Sequence, residues 1–257
     1  MRLFDSHCHI SDEAFDENRD ALIDEIRASS VALCTDVGSD LATSLKCAET
    51  VEKYDFVYAA AGCHPHEAKD FNEAQMEQIR ALLTLPKVKA WGEIGLDYHY
   101  DLSPREDQRR VLEREIALAE ELGLPIVFHV REAYEDFNAI IKRNKKHLTR
   151  GVLLHCYGGS AELAKYYLGE MDAHFSFGGV LTFAKHKDLV LANIPAERLL
   201  LETDCPYMTP VPFRGTPNEP KYIPLVRDKM AELKGLSREE IERTTTENAL
   251  AFYKIKL

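Results

Sequence analysis

The sequence lacks the features that mark membrane and secreted proteins. It contains no run of about 18 or more apolar residues, so no transmembrane helix is predicted. Residues 1–5 lead directly into charged sequence, without the apolar stretch of a secretory signal peptide. Low-complexity tracts are missing as well, and no break in composition separates two domains. We therefore expect a cytoplasmic protein that makes no membrane contact and forms one domain over residues 1–257.

Cysteine motifs and a surplus of basic residues are also missing. None of the six cysteines stands at a CxxC spacing, which argues against a zinc knuckle, and we expect reduced, buried thiols. Asp and Glu (43) outnumber Lys and Arg (32), and the net charge of −11 argues against a protein that grips duplex DNA through a broad basic surface. A phosphate substrate remains compatible with this charge if bound cations reverse the sign of one pocket.

A glycine-rich turn after the first strand is the last absent feature. The first strand-like run ends in HCHIS at 7–11, which contains no glycine and so disfavours an open, doubly wound sheet.

The chain instead alternates eight short apolar runs with segments of helical period. This pattern favours an α/β fold, a (β/α)8 barrel of the TIM type with an extra C-terminal helix. Strands are predicted at 3–7, 31–36, 56–62, 88–93, 125–129, 151–155, 173–177 and 198–202. Helices are predicted at 18–29, 40–53, 73–83, 104–122, 133–144, 160–168, 185–192, 222–234 and 237–252.

Residues with metal-binding side chains recur where the apolar runs end. Side chains alternate between the two faces of a strand, so His7 and His9 share one face, as do Glu202 and Asp204. In a barrel these faces meet at the carboxyl ends of the strands, where active sites of this fold lie. A lone histidine or acid there is commonly structural, but the repetition at several strands predicts one shared metal site. The residues concerned are His7, His9, Glu93, His129, His155, Glu202 and Asp204.

The mixture of imidazole and carboxylate indicates the kind of metal and the chemistry. These ligands suit divalent ions such as zinc, manganese or magnesium and require no thiolate. Two ions about 3.5–4 Å apart can share a bridging carboxylate and a bridging hydroxide that attacks phosphorus. The residue pattern therefore predicts a hydrolase that uses two divalent metal ions per chain.

Several motifs along the chain form a family signature. They are DSHCH (5–9), GCHPH (62–66), GEIGLDYH (92–99), PIVFHVRE (125–132), LLHCYGG (153–159) and LETDCPY (201–207). As a set they resemble the TatD family, metal-dependent deoxyribonucleases within the amidohydrolase group of barrels. The likeness continues through PNEP at 217–220 and TENA at 246–249, and so covers nearly the whole chain.

The resemblance implies a ligand set for two ions. The expected ligands are His7, His9 and Asp204 for one ion, His129 and His155 for the other, and Glu93 between them. Many amidohydrolase relatives bridge their ions with a carboxylated lysine, and Glu93 in that position points to the TatD branch. Glu93 and Asp204 are the expected catalytic residues, with Asp204 taking or relaying the proton of the attacking water.

Further positions are mapped onto substrate contacts. His64 and Arg131 are expected to face the phosphate. The guanidinium group of an arginine can donate bidentate hydrogen bonds to phosphate oxygens. His66 is expected to contact substrate as well. Glu202 is expected to orient a ligand or a water from behind the metal ligands.

The expected function is therefore hydrolysis of phosphodiester bonds in DNA by a metal-bridging hydroxide. We expect an exonuclease that acts on single strands. DNA is expected as a weakly bound substrate, and no obligate protein partner is evident. Two alternatives stay open at this point: the same metal pair hydrolysing another ester, a lactone, an amide or a tRNA ester, and a barrel that binds a ligand without catalysis. The residues also leave open the native metal, the polarity of digestion, DNA against RNA, and the oligomeric state.

Overall fold

The computed structural model describes residues 2–256, and its strands form one parallel sheet. Eight strands of this part of the chain lie side by side in sequence order. The sheet curls into a nearly closed barrel with helices between successive strands, which confirms the predicted fold. The strands are β1 (Leu3–Cys8), β2 (Val31–Val37), β3 (Val57–Ala61), β4 (Val88–Asp97), β5 (Ile126–Arg131), β6 (Val152–Leu154), β7 (His174–Phe177) and β8 (Leu199–Leu201).

The helices surround the barrel, and the last one closes its amino-terminal end. Phe252 and Tyr253, at the end of this helix, pack with interior residues such as Phe4 and Val127, so the helix forms the floor of the barrel. None of the helices described between residues 2 and 256 has both the length and the apolar composition of a membrane span. The helices are α1 (Arg19–Ala28), α2 (Leu41–Lys53), α3 (Glu73–Leu82), α4 (Arg105–Leu122), α5 (Tyr134–Asn144), α6 (Ala161–Met171), α7 (Lys187–Ala192), α8 (Ile223–Lys234) and α9 (Arg238–Phe252).

The seam between β1 and β8 joins the first and the last strand of the barrel. The amide of Asp204 donates to the carbonyl of His7 (2.9 Å), and the amide of His9 donates to the carbonyl of Cys205 (2.9 Å). Below them the buried carboxylate of Asp5 accepts hydrogen bonds from the amide (2.9 Å) and the hydroxyl (2.6 Å) of Thr203. The seam therefore fixes His7, His9 and Asp204 beside one another, although about 200 residues of chain separate them.

Strand β4 is four residues longer than the sequence pattern indicated. The prediction ended this strand at residue 93, whereas the ladder with β5 continues through Gly95 opposite His129 to Asp97 opposite Arg131. Gly95 has a φ of +154°, and a Cβ at this position would lie 1.8 Å from the carbonyl oxygen of His129. Because only glycine permits this close approach, it allows β4 to carry Asp97 to the mouth of the barrel.

A buried acid ties α4 to two strands. Oε1 of Glu115 accepts hydrogen bonds from the amide of Cys63 (2.8 Å), beyond β3, and from the indole N–H of Trp91 (3.0 Å), on β4. Its second oxygen has no hydrogen-bond partner among residues 2–256. Burial raises the pKa of Glu115 to about 8, so the neutral acid prevails at pH 7.

Glu115 should make the stability of the protein depend on pH. The folded state holds an extra proton between the ordinary pKa of 4.5 and the raised value of about 8, so this acid lowers the free energy of unfolding as the pH rises through that window. We expect Glu115→Gln to remove this decline. Urea unfolding followed by circular dichroism at intervals across the window measures it. Glu121→Gln, an exposed acid on the same helix, is the control. Equal slopes for wild type and Glu115→Gln would contradict the assignment.

Candidate metal centre

The six residues predicted as metal ligands meet in one buried cluster at the carboxyl ends of the strands. His7, Glu93 and His129 lie on β1, β4 and β5, while His155 follows β6 directly and Asp204 follows β8. Three groups of side chains, drawn from these six residues and the adjacent His64, present ligand atoms that lie within 4.8 Å of one another. The groups are His7, His155 and Asp204; His7, His9 and Glu93; and His64, Glu93 and His129.

The carboxylate of Glu93 stands at the centre, with each oxygen facing a different pair of imidazoles. Oε2 lies 3.3 Å from Nε2 of His7 and 3.7 Å from Nε2 of His9. Oε1 lies 2.8 Å from Nδ1 of His129 and 2.7 Å from Nε2 of His155. Asp204 joins the first pair, since its Oδ1 is 3.4 Å from Nε2 of His9. The carboxylate of Glu93 therefore lies between two sets of potential metal ligands.

The spacing of the histidine nitrogens suits divalent cations. Nε2 of His7 and Nε2 of His9 are 3.3 Å apart, and Nδ1 of His129 is 3.2 Å from Nε2 of His155. Two nitrogens that bind a common ion at about 2.1 Å stand roughly 3–3.5 Å apart, the spacing of both pairs. Nδ1 of His9 donates to the carbonyl of Val37 (2.7 Å), which leaves the lone pair of Nε2 directed into the cluster.

The electrostatics of the cluster keep its carboxylates ionised. Burial raises the pKa of Glu93, but the neighbouring histidines, above all His155, outweigh it and hold that pKa well below its usual range. The hydrogen bond to His9 likewise holds the pKa of Asp204 below its ordinary value against the effect of burial. Burial lowers the pKa of His7 to about 4. These are the forms that coordinate metal, whereas Asp204 and Glu93 outweigh burial and raise the pKa of His9 to about 10 and that of His155 to about 9. Metal binding would therefore displace protons from these two imidazoles.

His64 lies beside this cluster as a hydrogen-bond donor. Its Nε2 is 3.5 Å from Oε1 of Glu93, while its Nδ1 accepts a hydrogen bond from the amide of His66 (3.1 Å). Burial lowers the pKa of His64 well below its usual range, so the ring is neutral. A neutral ring that accepts at Nδ1 carries its proton on Nε2, and this N–H therefore points into the mouth of the barrel.

Arg131 and His66 border the cluster without contacting Glu93. The guanidinium of Arg131 is half-buried and lies 4.7 Å from the ring centre of the exposed Tyr100. Nε2 of His66 lies 3.3 Å from Oδ2 of Asp97, outside hydrogen-bonding geometry. Both side chains are placed where a substrate entering the mouth would meet them.

Glu202 lies behind the cluster. Its Oε1 accepts from the amide of Cys156 (2.7 Å), and its Oε2 accepts from the hydroxyl of Ser176 (2.6 Å) and lies 3.8 Å from Nδ1 of His155. Burial raises the pKa of Glu202 to about 8. Its contacts fix the turn that follows β6 and thereby the position of His155.

Asp97 is a site residue that sequence reasoning missed. Its Oδ2 accepts from Nε2 of His129 (2.9 Å), while its Oδ1 accepts from the amides of His99 (3.0 Å) and Tyr100 (2.9 Å). The hydrogen bond from His129 outweighs burial and holds the pKa of Asp97 well below its usual range. The signal was present in the sequence, because Asp97 follows Glu93 at twice the strand period and so faces the same side.

Comparisons with known proteins agree with this geometry. The model of a family described as TatD related DNase matches residues 4–254. The metal-dependent hydrolase YabD of Bacillus subtilis (strain 168) is 44% identical over 255 residues, which cover 98% of this chain and 99% of YabD. A protein of Cronobacter sakazakii named as the 3'-5' ssDNA/RNA exonuclease TatD is 32% identical, with 98% and 97% of the two chains covered.

A solved structure shows the same barrel over its full length. The crystal structure of YjjV, a TatD homologue from Escherichia coli K12, superimposes with a TM-score of 0.92 at 28% identity and covers 99% of both chains. The family match and these relatives extend over the motifs that carry the cluster. The chain therefore belongs to the TatD family of metal-dependent hydrolases.

Proposed function

We propose that this protein is a nuclease that uses two divalent ions to hydrolyse phosphodiester bonds, removing nucleotides from the end of single-stranded DNA. The observation that carries the proposal is the buried Glu93, whose two oxygens face separate pairs of histidines. The name of the Cronobacter relative, a 3'-5' exonuclease of single-stranded DNA and RNA, supports the choice of substrate and of an exonuclease over an endonuclease.

Each ion has a set of ligands in this proposal. His7, His9 and Asp204 would hold one ion, and His129 and His155 would hold the other. Glu93, which faces both sets, would contribute to each. Bound ions supply Lewis acidity at the phosphate and make water a stronger acid.

The remaining side chains bind substrate and move the proton. The carboxylate of Asp204, ionised and facing His9, takes the proton of the attacking water. The Nε2–H of His64 and the guanidinium of Arg131 donate to the non-bridging oxygens of the phosphate. His66 contacts substrate at the border of the site, and Glu202 holds His155 from behind.

Asp97 acts as a positioning residue for His129. Because Nε2 of His129 donates to Asp97, the lone pair of its Nδ1 is directed towards Glu93 and the second ion. A carboxylate that fixes the tautomer of a metal-binding histidine also makes that histidine a stronger ligand.

An anionic substrate explains the mouth of the barrel better than a neutral ester does. No carboxylate among residues 2–256 pairs with the guanidinium of Arg131, which is therefore available to a phosphate. Lactones and amides carry no charge for this group to bind. A non-catalytic barrel gives no reason for keeping a complete set of metal donors around Glu93.

The proposal is tested with purified protein loaded with Mg²⁺, Mn²⁺ or Zn²⁺. End-labelled single-stranded DNA, single-stranded RNA and duplex DNA are compared with carboxylic esters, lactones, cyclic amides and aminoacyl-tRNA. We expect stepwise shortening of single-stranded DNA from one end and loss of activity on chelation. Turnover of an ester, a lactone or an aminoacyl-tRNA without any cleavage of nucleic acid would overturn the proposal in favour of another hydrolase. No turnover in any arm would favour the non-catalytic barrel.

Replacement of Asp204 should abolish catalysis without unfolding the barrel. We expect Asp204→Asn to lower kcat on single-stranded DNA roughly 10²–10⁴-fold, because the amide cannot accept the proton of water. The seam hydrogen bond of residue 204 is made by its backbone and remains. Circular dichroism and the urea midpoint check the fold, and Asp55→Asn, an exposed acid away from the site, is the control. Full activity of metal-loaded Asp204→Asn would refute the role.

Replacement of Asp97 should weaken one metal site selectively. In Asp97→Asn the oxygen stays with the amides of His99 and Tyr100, so the new NH₂ group faces Nε2 of His129 and favours the other tautomer. We expect the affinity for the second ion to fall about 10–100-fold while the first ion stays bound. Chelator competition measures both affinities, with Asp101→Asn as the control. Unchanged affinity for both ions would contradict the positioning role.

A further inference from the structure

Two arginines at the mouth of the barrel, Arg131 and Arg214, have no carboxylate partner among residues 2–256. Among residues 2–256, every arginine other than Arg2, Arg131 and Arg214 lies within 4.0 Å of a carboxylate. Arg2 instead donates to backbone carbonyls. In a chain with a net charge of −11, guanidinium groups without an acidic partner are exceptional. Both of the others lie at the carboxyl ends of the strands, on the face that carries the metal centre.

Each of these guanidinium groups lies over an exposed aromatic ring. Arg131 is 4.7 Å from the ring centre of Tyr100, which is 55% exposed, and Arg214 is 4.0 Å from that of Phe183, which is 40% exposed. Arg131 with Tyr100 borders the metal cluster and belongs to the site already described. Arg214 with Phe183 lies on the loops after β8 and β7 and is not explained by the reaction at the metal centre.

The loops that carry Phe183 and Arg214 are fixed to each other. The amide of Val211 donates to the hydroxyl of Thr182 (2.9 Å), and Nη1 of Arg214 donates to the carbonyl of Thr209 (3.0 Å). The neighbouring Phe213 is held by stacking on Tyr222, with ring centres 4.6 Å apart, yet it remains 42% exposed. The aromatic rings are therefore held in place without being buried.

The segment that follows Phe183 carries two lysines and one exposed acid, Asp188. Lys185 is exposed, and within the described part of the chain neither Lys185 nor Lys187 pairs with a carboxylate. Nζ of Lys187 donates to the carbonyl of Tyr157 (2.9 Å). Exposed rings interleaved with unpaired cations are the combination that binds single-stranded nucleic acid, through base stacking and phosphate contacts.

We propose that Phe183, Phe213 and Arg214 form a subsite, the distal platform, that binds nucleotides of a single strand away from the bond being cleaved. The inference rests on the proposed nuclease function and extends it by assigning how longer substrates are held. Arg214 binds a backbone phosphate, and an unpaired base stacks on an exposed ring. Paired bases cannot stack in this way, so the distal platform favours single strands over duplex.

The test compares substrates of different length in Phe183→Ala and Arg214→Ala. We expect KM for a long oligothymidylate to rise about tenfold in each variant, the effect of losing one stacking or phosphate contact. The value of kcat on the long strand should stay as in wild type, and so should the kinetics on a thymidine dinucleotide, because a distal subsite acts only on nucleotides away from the bond being cleaved. Leu45→Ala on α2 and Arg243→Ala on α9, both exposed, are the matched controls. An unchanged KM on the long strand, or an equal loss on the dinucleotide, would overturn the proposal.

A measurement of binding distinguishes failure of this inference from failure of the proposed function. Fluorescence anisotropy of labelled oligothymidylate is measured with Asp204→Asn alone and combined with Phe183→Ala or Arg214→Ala. Weaker binding in the combined variants supports the distal platform even if the wild type proves not to cleave DNA. Equal binding, or no binding by any form, overturns the distal platform while leaving hydrolysis at the metal centre to its own test.

Discussion

The structure depends on one arrangement: the carboxylate of Glu93 lies in a buried pocket between two pairs of imidazoles. Ionised carboxylates and nitrogen lone pairs that face each other out of water are costly unless cations lie between them. The surrounding fold holds this arrangement, because Gly95 brings β4 close to β5 and the seam sets His7 and His9 beside Asp204. Divalent ions would therefore stabilise the barrel at this point.

The sequence predicted the order of the strands and helices and the cluster at their carboxyl ends. Apolar runs ending in His129 or His155 were sufficient, because parallel strands of a barrel all end on one face. The extension of β4 to Asp97 was missed, since two glycines and a charged residue resemble a turn until the close approach of Gly95 to β5 is known. The bond between Asp5 and Thr203 joins residues 198 positions apart, and no local pattern encodes such a contact.

An acidic protein can act on a polyanion if its few available cations are placed at the mouth of the site. Nearly all the arginines of the described chain are paired with acids or, for Arg2, with backbone carbonyls, and the two that remain, Arg131 and Arg214, lie over rings on the face of the metal centre. This arrangement predicts weak, salt-sensitive binding to a short stretch of single strand, without the broad basic surface of a duplex-binding protein. In the proposed function the residues have separate roles: Glu93 and its neighbours act at one phosphate, and the exposed rings bind bases.

Anomalous X-ray diffraction from crystals of the protein loaded with manganese or zinc tests the bridging role of Glu93 most directly. Two peaks are predicted in the barrel mouth, one in contact with each oxygen of Glu93, the first beside His7, His9 and Asp204 and the second beside His129 and His155. A single peak under saturating metal, or two peaks that do not share Glu93, would contradict the two-ion centre and the mechanism built on it.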